Sequence, residues 1–395
     1  MSDSNISYFE ITNEGVSVWW SWILVFWFTV LGWLLVQIVI TGPIPELARS
    51  ADPNLGFQID KATENMIQQI DFKKVSYFGL IFFFGTLLGL ISWSMNRSFK
   101  NSYLKSSGFL TGIGVIASFY GLINLFPLMN DAEANTTIIK AIGVSPTIYI
   151  LFLLVFPASL IALYLGQKYI HQRTILSLHT ASPTIRWNRG INAFLVTWLV
   201  LGTLSLAGHI SGLSVVKANF QAENILLYMI LSLALIPLQS ATEEIVFRGY
   251  LNQWFTHLLK NKWIAFIISS ALFASMHLSN PEALKGSEDG VLLLTMSGYF
   301  LFGFVACLLV WMDNGLESAI GFHAANNTFA AIFINYEGSV LPVPSLFMAK
   351  PNINLDMPIM VIALIIITLV LLSLLGEMER GVMLPIGFCA LASQT

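Results

Sequence analysis

The sequence predicts an all-α fold, a polytopic integral membrane bundle of about ten transmembrane helices. Of its 395 residues 56% are hydrophobic and only 10% are charged, whereas an ordinary soluble domain carries about 25% charged residues. Mean hydropathy is +0.73. The apolar residues gather in runs of about 20, the length a helix needs to cross a bilayer. The 19 Lys and Arg fall mainly in short connections between those runs, and a net charge of −3 offers no basic surface for nucleic acid. The lipid bilayer is therefore the expected surrounding, and nucleic acid is set aside as a partner.

Taken in order, the candidate spans are roughly 16–41, 75–95, 108–128, 146–167, 191–210, 224–250, 262–280, 291–311, 316–334 and 357–376. The leading MSDSNISYFEITNEG is polar and acidic with no Lys or Arg, unlike the start of a cleaved signal peptide, so the first span is expected to stay as an anchor. Arg97, Lys100 and Lys105 follow the second span, Lys168, Arg173, Arg186 and Arg189 the fourth, and Lys260 and Lys262 the sixth. The positive-inside rule makes these loops cytoplasmic. Alternation then puts both termini and the Asp313-Asn314-Gly315 turn on that side, and the plasma membrane of a prokaryote is the expected location. Two longer connections, 43–74 and 335–356, fall outside; the first contains TENMIQQI at helical spacing and the second is rich in Pro and Asn. This gives an N-terminal region over 1–180, a core over 181–334, and an outer loop with the last span over 335–395. Cys307 and Cys389 fit no metal or redox spacing and read as packing residues.

Ionisable groups inside a span cost roughly 2.5–3.5 kcal/mol each, so they default to functional candidates. In ATEEIVFRGY, Glu244 and Arg248 are four apart and share a helix face as a possible ion pair. Glu243 is rotated by about 100° and points elsewhere, which separates a structural carboxylate from one left free for chemistry. In ALFASMHLSN, Phe273 and His277 share a face. In GFHAANNTFA, His323 and Asn327 share another, with alanines between them that allow close approach, while Asn326 suits packing or a local hydrogen bond. At about 1.5 Å per residue, Glu243 lies roughly 27 Å and His277 roughly 24 Å from the turn near Asn261. Counted from Gly315, His323 lies roughly 12 Å and Asn327 roughly 18 Å in, a difference that a kink at Pro237 is expected to close. The expectation is one buried cluster between the sixth, seventh and ninth spans.

A carboxylate beside a His, withdrawn from bulk water, can hold and deprotonate a water molecule. A second His with an Asn amide can stabilise the oxyanion of a tetrahedral intermediate. Together they suit peptide-bond hydrolysis. The rival chemistry is a zinc site with Glu243, His277 and His323 as ligands, although H-E-x-x-H is absent from the sequence. Outside enzymes, the alternative is a non-catalytic membrane protein, either a peptide-immunity factor or a transporter. Transporters pair broken helices in corresponding halves, and Pro237 is read as an unpaired interruption, which disfavours transport.

EEIVFR at 243–248 fits E-E-x-x-x-R, FASMH at 273–277 fits F-x-x-x-H, and HAANN at 323–327 fits H-x-x-x-N. In that order the three motifs resemble the CAAX-protease and bacteriocin-processing (CPBP, or Abi) family of intramembrane glutamic endopeptidases, related to the type II CAAX prenyl endopeptidases. The resemblance covers roughly 185–334, beginning with SPTIRWNRG at the entry to the fifth span. It implies that Glu243 and His277 activate water, that His323 and Asn327 stabilise the oxyanion, and that Glu244 and Arg248 support them. It also implies a membrane-associated peptide or protein as substrate and, in the mechanism favoured here, no metal or other cofactor.

Overall fold

The computed structural model describes residues 7–98, 132–350 and 352–379, with scattered positions between 110 and 124. It is a helical bundle. The N-terminal half comprises α1 (Trp19–Thr41), α2 (Ile44–Ala51), α3 (Pro53–Gln69), α4 (Phe72–Ser98), α5 (Ala132–Val144) and α6 (Pro146–Tyr169). After a connection with a short 3₁₀ turn at Ile175–Leu178 comes α7 (Trp187–Ile210). The region with the three motifs contains α8 (Ile225–Glu244), a π-helical segment Ile245–Leu251, α9 (Asn252–Leu259), α10 (Lys262–Ser275), α11 (Pro281–Glu288), α12 (Leu292–Asp313) and α13 (Glu317–Ile332). The last helix is α14 (Ile353–Glu379). Three short strands, β1 (Val216–Ala218), β2 (Ile334–Tyr336) and β3 (Phe347–Ala349), form a small sheet in the order β1-β3-β2. β3 runs antiparallel to β1 and parallel to β2.

Among the described residues seven helical stretches are long and apolar enough to cross a membrane: Trp19–Ala51, Phe72–Gly89, Pro146–Tyr169, Trp187–Ile210, Ile225–Leu259, Leu292–Asp313 and Leu355–Leu374. The ten-span expectation counts two shorter helices and one run that lies mostly outside the described residues. The 262–280 run is helical only over its first 14 residues, α10. Beyond it Met276–Asn280 is non-helical, and Asn280, which precedes Pro281, is extended as the N-cap of α11. The 316–334 run becomes the 16-residue α13. The 108–128 run is the one lying mostly outside the described residues, as do Lys100, Lys105, Cys389 and the side chain of Arg97.

α13 is the central element, packed against α7, α8 and α12. Small residues permit this. A Cβ on Gly321 would collide with the backbone of Gly190, so α7 and α13 approach at backbone contact, as small residues allow between membrane helices. Ala324 and Ala325 are both buried.

One end of the bundle is closed by the N-terminal segment. Tyr8 is fully buried; its backbone N–H donates to Asn314 Oδ1 at 2.5 Å and its hydroxyl to the Leu178 carbonyl at 2.5 Å. Arg173 Nε donates to the Glu14 carbonyl at 2.9 Å. Tyr250, in the π-helical segment, donates to the Trp22 carbonyl at 2.5 Å and lies 3.2 Å from His171 Nε2. The turn between α12 and α13, with Asn314 at φ 55°, is also covered: Leu316 N–H donates to His179 O at 2.7 Å and Ala181 N–H to Asn314 O at 3.2 Å. The N-terminal segment, the 170–186 connection and this turn therefore share one end of the bundle. A continuous buried cluster runs from Tyr8 and Trp22 through Tyr250, Phe266 and Phe322 to Leu364. Cys307 lies within it as a packing residue, accepting from Asn252 Nδ2 at 3.2 Å.

Candidate active site

The last turn of α8 carries Glu243 and Glu244, and the π-helical segment that follows carries Arg248. π-turns, with i→i+5 bonds, occur mostly as short interruptions and frequently at functional sites. Arg248 and Glu244 are both fully buried, and Nη1 donates to Glu244 Oε1 at 3.0 Å. The guanidinium also stacks over the Phe273 ring, 4.2 Å from its centroid. Gly303 on α12 leaves room for it, since a Cβ there would stand 3.0 Å from Arg248 Nη2.

Glu243, on the adjoining face, reaches a different set of partners. Its Oε1 accepts from Gln239 Nε2 at 2.6 Å, one turn back on α8. Its Oε2 stands 3.5 Å from His323 Nε2, an ion-pair separation without hydrogen-bond alignment. The other nitrogen of His323, Nδ1, bonds Glu244 Oε1 at 2.7 Å. His323 is thus inserted between the two adjacent carboxylates, one of them already paired with Arg248. The edges of Phe302 and Phe273 flank its ring at 5.0 and 6.0 Å between centroids.

Asn327, one turn along α13 from His323, donates from Nδ2 to Gln239 Oε1 at 3.2 Å and accepts from Asn326 Nδ2 at 3.0 Å. His277 lies just past the end of α10. Its Nδ1 donates to the Phe273 carbonyl at 2.7 Å, leaving Nε2 as the acceptor of the ring. The imidazole is held between Phe273, at 4.6 Å, and Tyr299 on α12, stacked at 4.3 Å. It interacts electrostatically with both Glu243 and His323.

All six residues singled out from the sequence are therefore neighbours. Glu243, Glu244 and His323 touch, Arg248 joins through Glu244, Asn327 through Gln239, and His277 through Phe273. Two participants were not read from the sequence. Gln239 could have been, as an amide one helical turn before a carboxylate inside an apolar run. Tyr299 carries no comparable signal. Among the described residues no three His, Cys, Asp or Glu side chains are grouped to hold a metal ion.

Residues 222–329 match the Rce1-like family of type II CAAX prenyl endopeptidases, a stretch that holds all six residues. The chain is also 27% identical over 245 residues to the uncharacterized protein YyaK of Bacillus subtilis, covering 60% of this chain and 77% of that one. No solved structure matches the chain. The chain thus carries an Rce1-like segment within a polytopic helical membrane protein, consistent with the CPBP resemblance of its motifs.

Proposed function

We propose that the protein is a CPBP-type intramembrane endopeptidase that hydrolyses a peptide bond in or near the membrane, with Glu243 as the base. The observation that carries this reading is the environment of Glu243. One oxygen is held by Gln239, and the other is free of hydrogen bonds and directed at His323 inside a helical bundle. A water placed between that oxygen and the Nε2 acceptor of His277 would lose a proton to Glu243 as it attacks the scissile carbonyl. The carbonyl oxygen then becomes an oxyanion, and collapse of the tetrahedral intermediate returns the proton to the leaving amine.

Asn327 and His323 are the candidate oxyanion donors on this reading, Asn327 reaching Glu243 through Gln239 and His323 Nε2 standing 3.5 Å from Glu243 Oε2. With Nδ1–H given to Glu244, His323 donates from Nε2 only when its ring carries both protons, and the Glu244 carboxylate is the counter-ion for that state. Arg248 in turn fixes Glu244. On this reading no step is routed through a metal. The substrate on this reading is a membrane-associated peptide or protein, and the chain lies in a prokaryotic plasma membrane with both termini cytoplasmic.

The test is profiling of new N-termini in membranes expressing wild type or Glu243→Gln. Glu243→Gln keeps the shape but cannot accept the proton, so Glu243-dependent termini are expected in the wild type alone. A fluorogenic peptide built on such a sequence should be cut by purified wild type in the presence of a strong chelator. Asn327→Ala should retain a residue of activity, on the order of 10²–10³ below wild type. Full activity of Glu243→Gln would overturn the reading, and stoichiometric zinc lost together with activity would overturn its metal-free part.

A further inference from the structure

Gln239 links the two halves of the candidate site. It is buried on α8 one turn before Glu243, and a single carboxamide joins that carboxylate to Asn327 on α13. The orientation of every group in the chain is determined. A carboxylate only accepts, so the nitrogen of Gln239 must face Glu243 and its oxygen must face the amide nitrogen of Asn327. Asn327 Oδ1 in turn accepts from Asn326 Nδ2, and Ser240 Oγ donates to Gln239 Oε1 at 3.3 Å. The result is a one-way series of donors, Asn326 to Asn327 to Gln239 to Glu243, ending on the carboxylate. Such series polarise and strengthen one another in a low-dielectric interior.

We infer that Gln239 is a positioning residue for the hydrolytic reaction. It fixes which oxygen of Glu243 faces the site, and it aims the amide nitrogen of Asn327 toward the same space. The inference rests on the reading of Glu243 as the base. It goes beyond the three motifs, because Gln239 belongs to none of them. An apolar residue in its place would fill the volume but would release both groups: Glu243 could turn its occupied oxygen away, and the Asn327 carboxamide could rotate.

The experiment uses the purified full chain and a fluorogenic peptide carrying a Glu243-dependent cleavage sequence, with Glu243→Gln in the same assay. Gln239→Leu should lower kcat roughly 10²-fold, the loss that follows from misplacing a reacting group, with KM nearly unchanged. The acid limb of its pH profile should move to higher pH, because the carboxylate has lost a donor to its charged form. Gln239→Glu, which keeps the shape, should move the limb in the same direction by placing a second carboxylate beside Glu243.

A structural readout accompanies the kinetics. Thermal midpoints of Gln239→Leu, Asn327→Leu and the double variant should be non-additive, because the two residues share one hydrogen bond. Wild-type kcat and pH profile in both Gln239 variants, or additive midpoints, would overturn the inference. Activity surviving in Glu243→Gln would instead remove the endopeptidase reading itself, so the two failures are told apart.

Discussion

Arg248→Ala isolates the contribution of the buried ion pair. Both partners are fully buried, and Nη1 stands 3.0 Å from Glu244 Oε1. Truncation leaves Glu244 bonded only to His323 Nδ1. Removing one member of a buried pair costs about 3–5 kcal/mol, because a charge stays behind without its partner. The stacking of the guanidinium over Phe273 adds about 1 kcal/mol. Against a net stability of about 5–15 kcal/mol for a typical domain, such a loss should sharply lower the folded fraction. Phe273 also supplies the carbonyl that holds His277, so the damage should spread toward the other side of the site. The assay is the monodisperse yield and thermal midpoint of detergent-solubilised protein, with a fluorescent tag reporting total synthesis. The paired variant Arg248→Met with Glu244→Gln removes both charges at similar volume and should recover most of the yield while remaining inactive. Normal yield and midpoint for Arg248→Ala with selective loss of turnover would refute the structural role.

His171 lies outside the spans, between Tyr169 and Trp187, and burial, with Arg173 adding to it, pushes its pKa from 6.5 down to about 3. The unfolded chain therefore takes up this proton near pH 6.5 while the folded chain does not, so the stability is fully present above about pH 6.5 and declines as pH falls toward 3. The slope should approach about 1.4 kcal/mol per pH unit, and His171→Gln should flatten the fall in thermal midpoint between pH 7 and 5; identical slopes would contradict this. For the α7–α13 contact, Gly321→Ala should reduce folded yield by about 1–3 kcal/mol of overpacking, since its Cβ meets backbone. Gly190→Ala should be better tolerated, its Cβ falling 3.1 Å from Glu317 O, and the reverse order of yields would refute the assignment.

The helical membrane bundle was legible because hydropathy over 20 residues reports on a bilayer directly. The number of spans was less so, and the two shorter helices show why. α10 and α13 both contribute to the site, and their apolar runs continue into non-helical backbone at Met276–Asn280 and into β2. A run of hydrophobic residues buried against protein looks the same, residue by residue, as one facing lipid. The small sheet escaped notice for a related reason: its strands are three residues each, too short to show alternation, and β3 pairs with two segments that both precede it, β1 far back in the chain between α7 and α8.

The site was more legible in its membership than in its geometry. Helical spacing correctly paired Glu244 with Arg248 and sent Glu243 to a different face, because both follow from about 100° of rotation per residue. The depth count was looser: it left Glu243 and His323 about 15 Å apart in height, a gap expected to close, and their side chains do meet, with Oε2 3.5 Å from Nε2. The count assumed that the turns at Asn261 and Gly315 were level and that 245–259 was regular α-helix. Instead the π-helical segment Ile245–Leu251 alters the rise on one side. On the other, the turn is not at the surface: Asp313, Leu316 and Glu317 are buried. Arg186 ties the connection beneath it to Glu317, with Nε to Oε1 at 3.0 Å and Nη2 to Oε2 at 2.7 Å, while Arg189 bonds Asp313. The arginines that marked this loop by the positive-inside rule thus also draw the turn inward. The same ion pairs hold the start of α13, the helix that presents His323 to the two carboxylates, against the 180–189 connection.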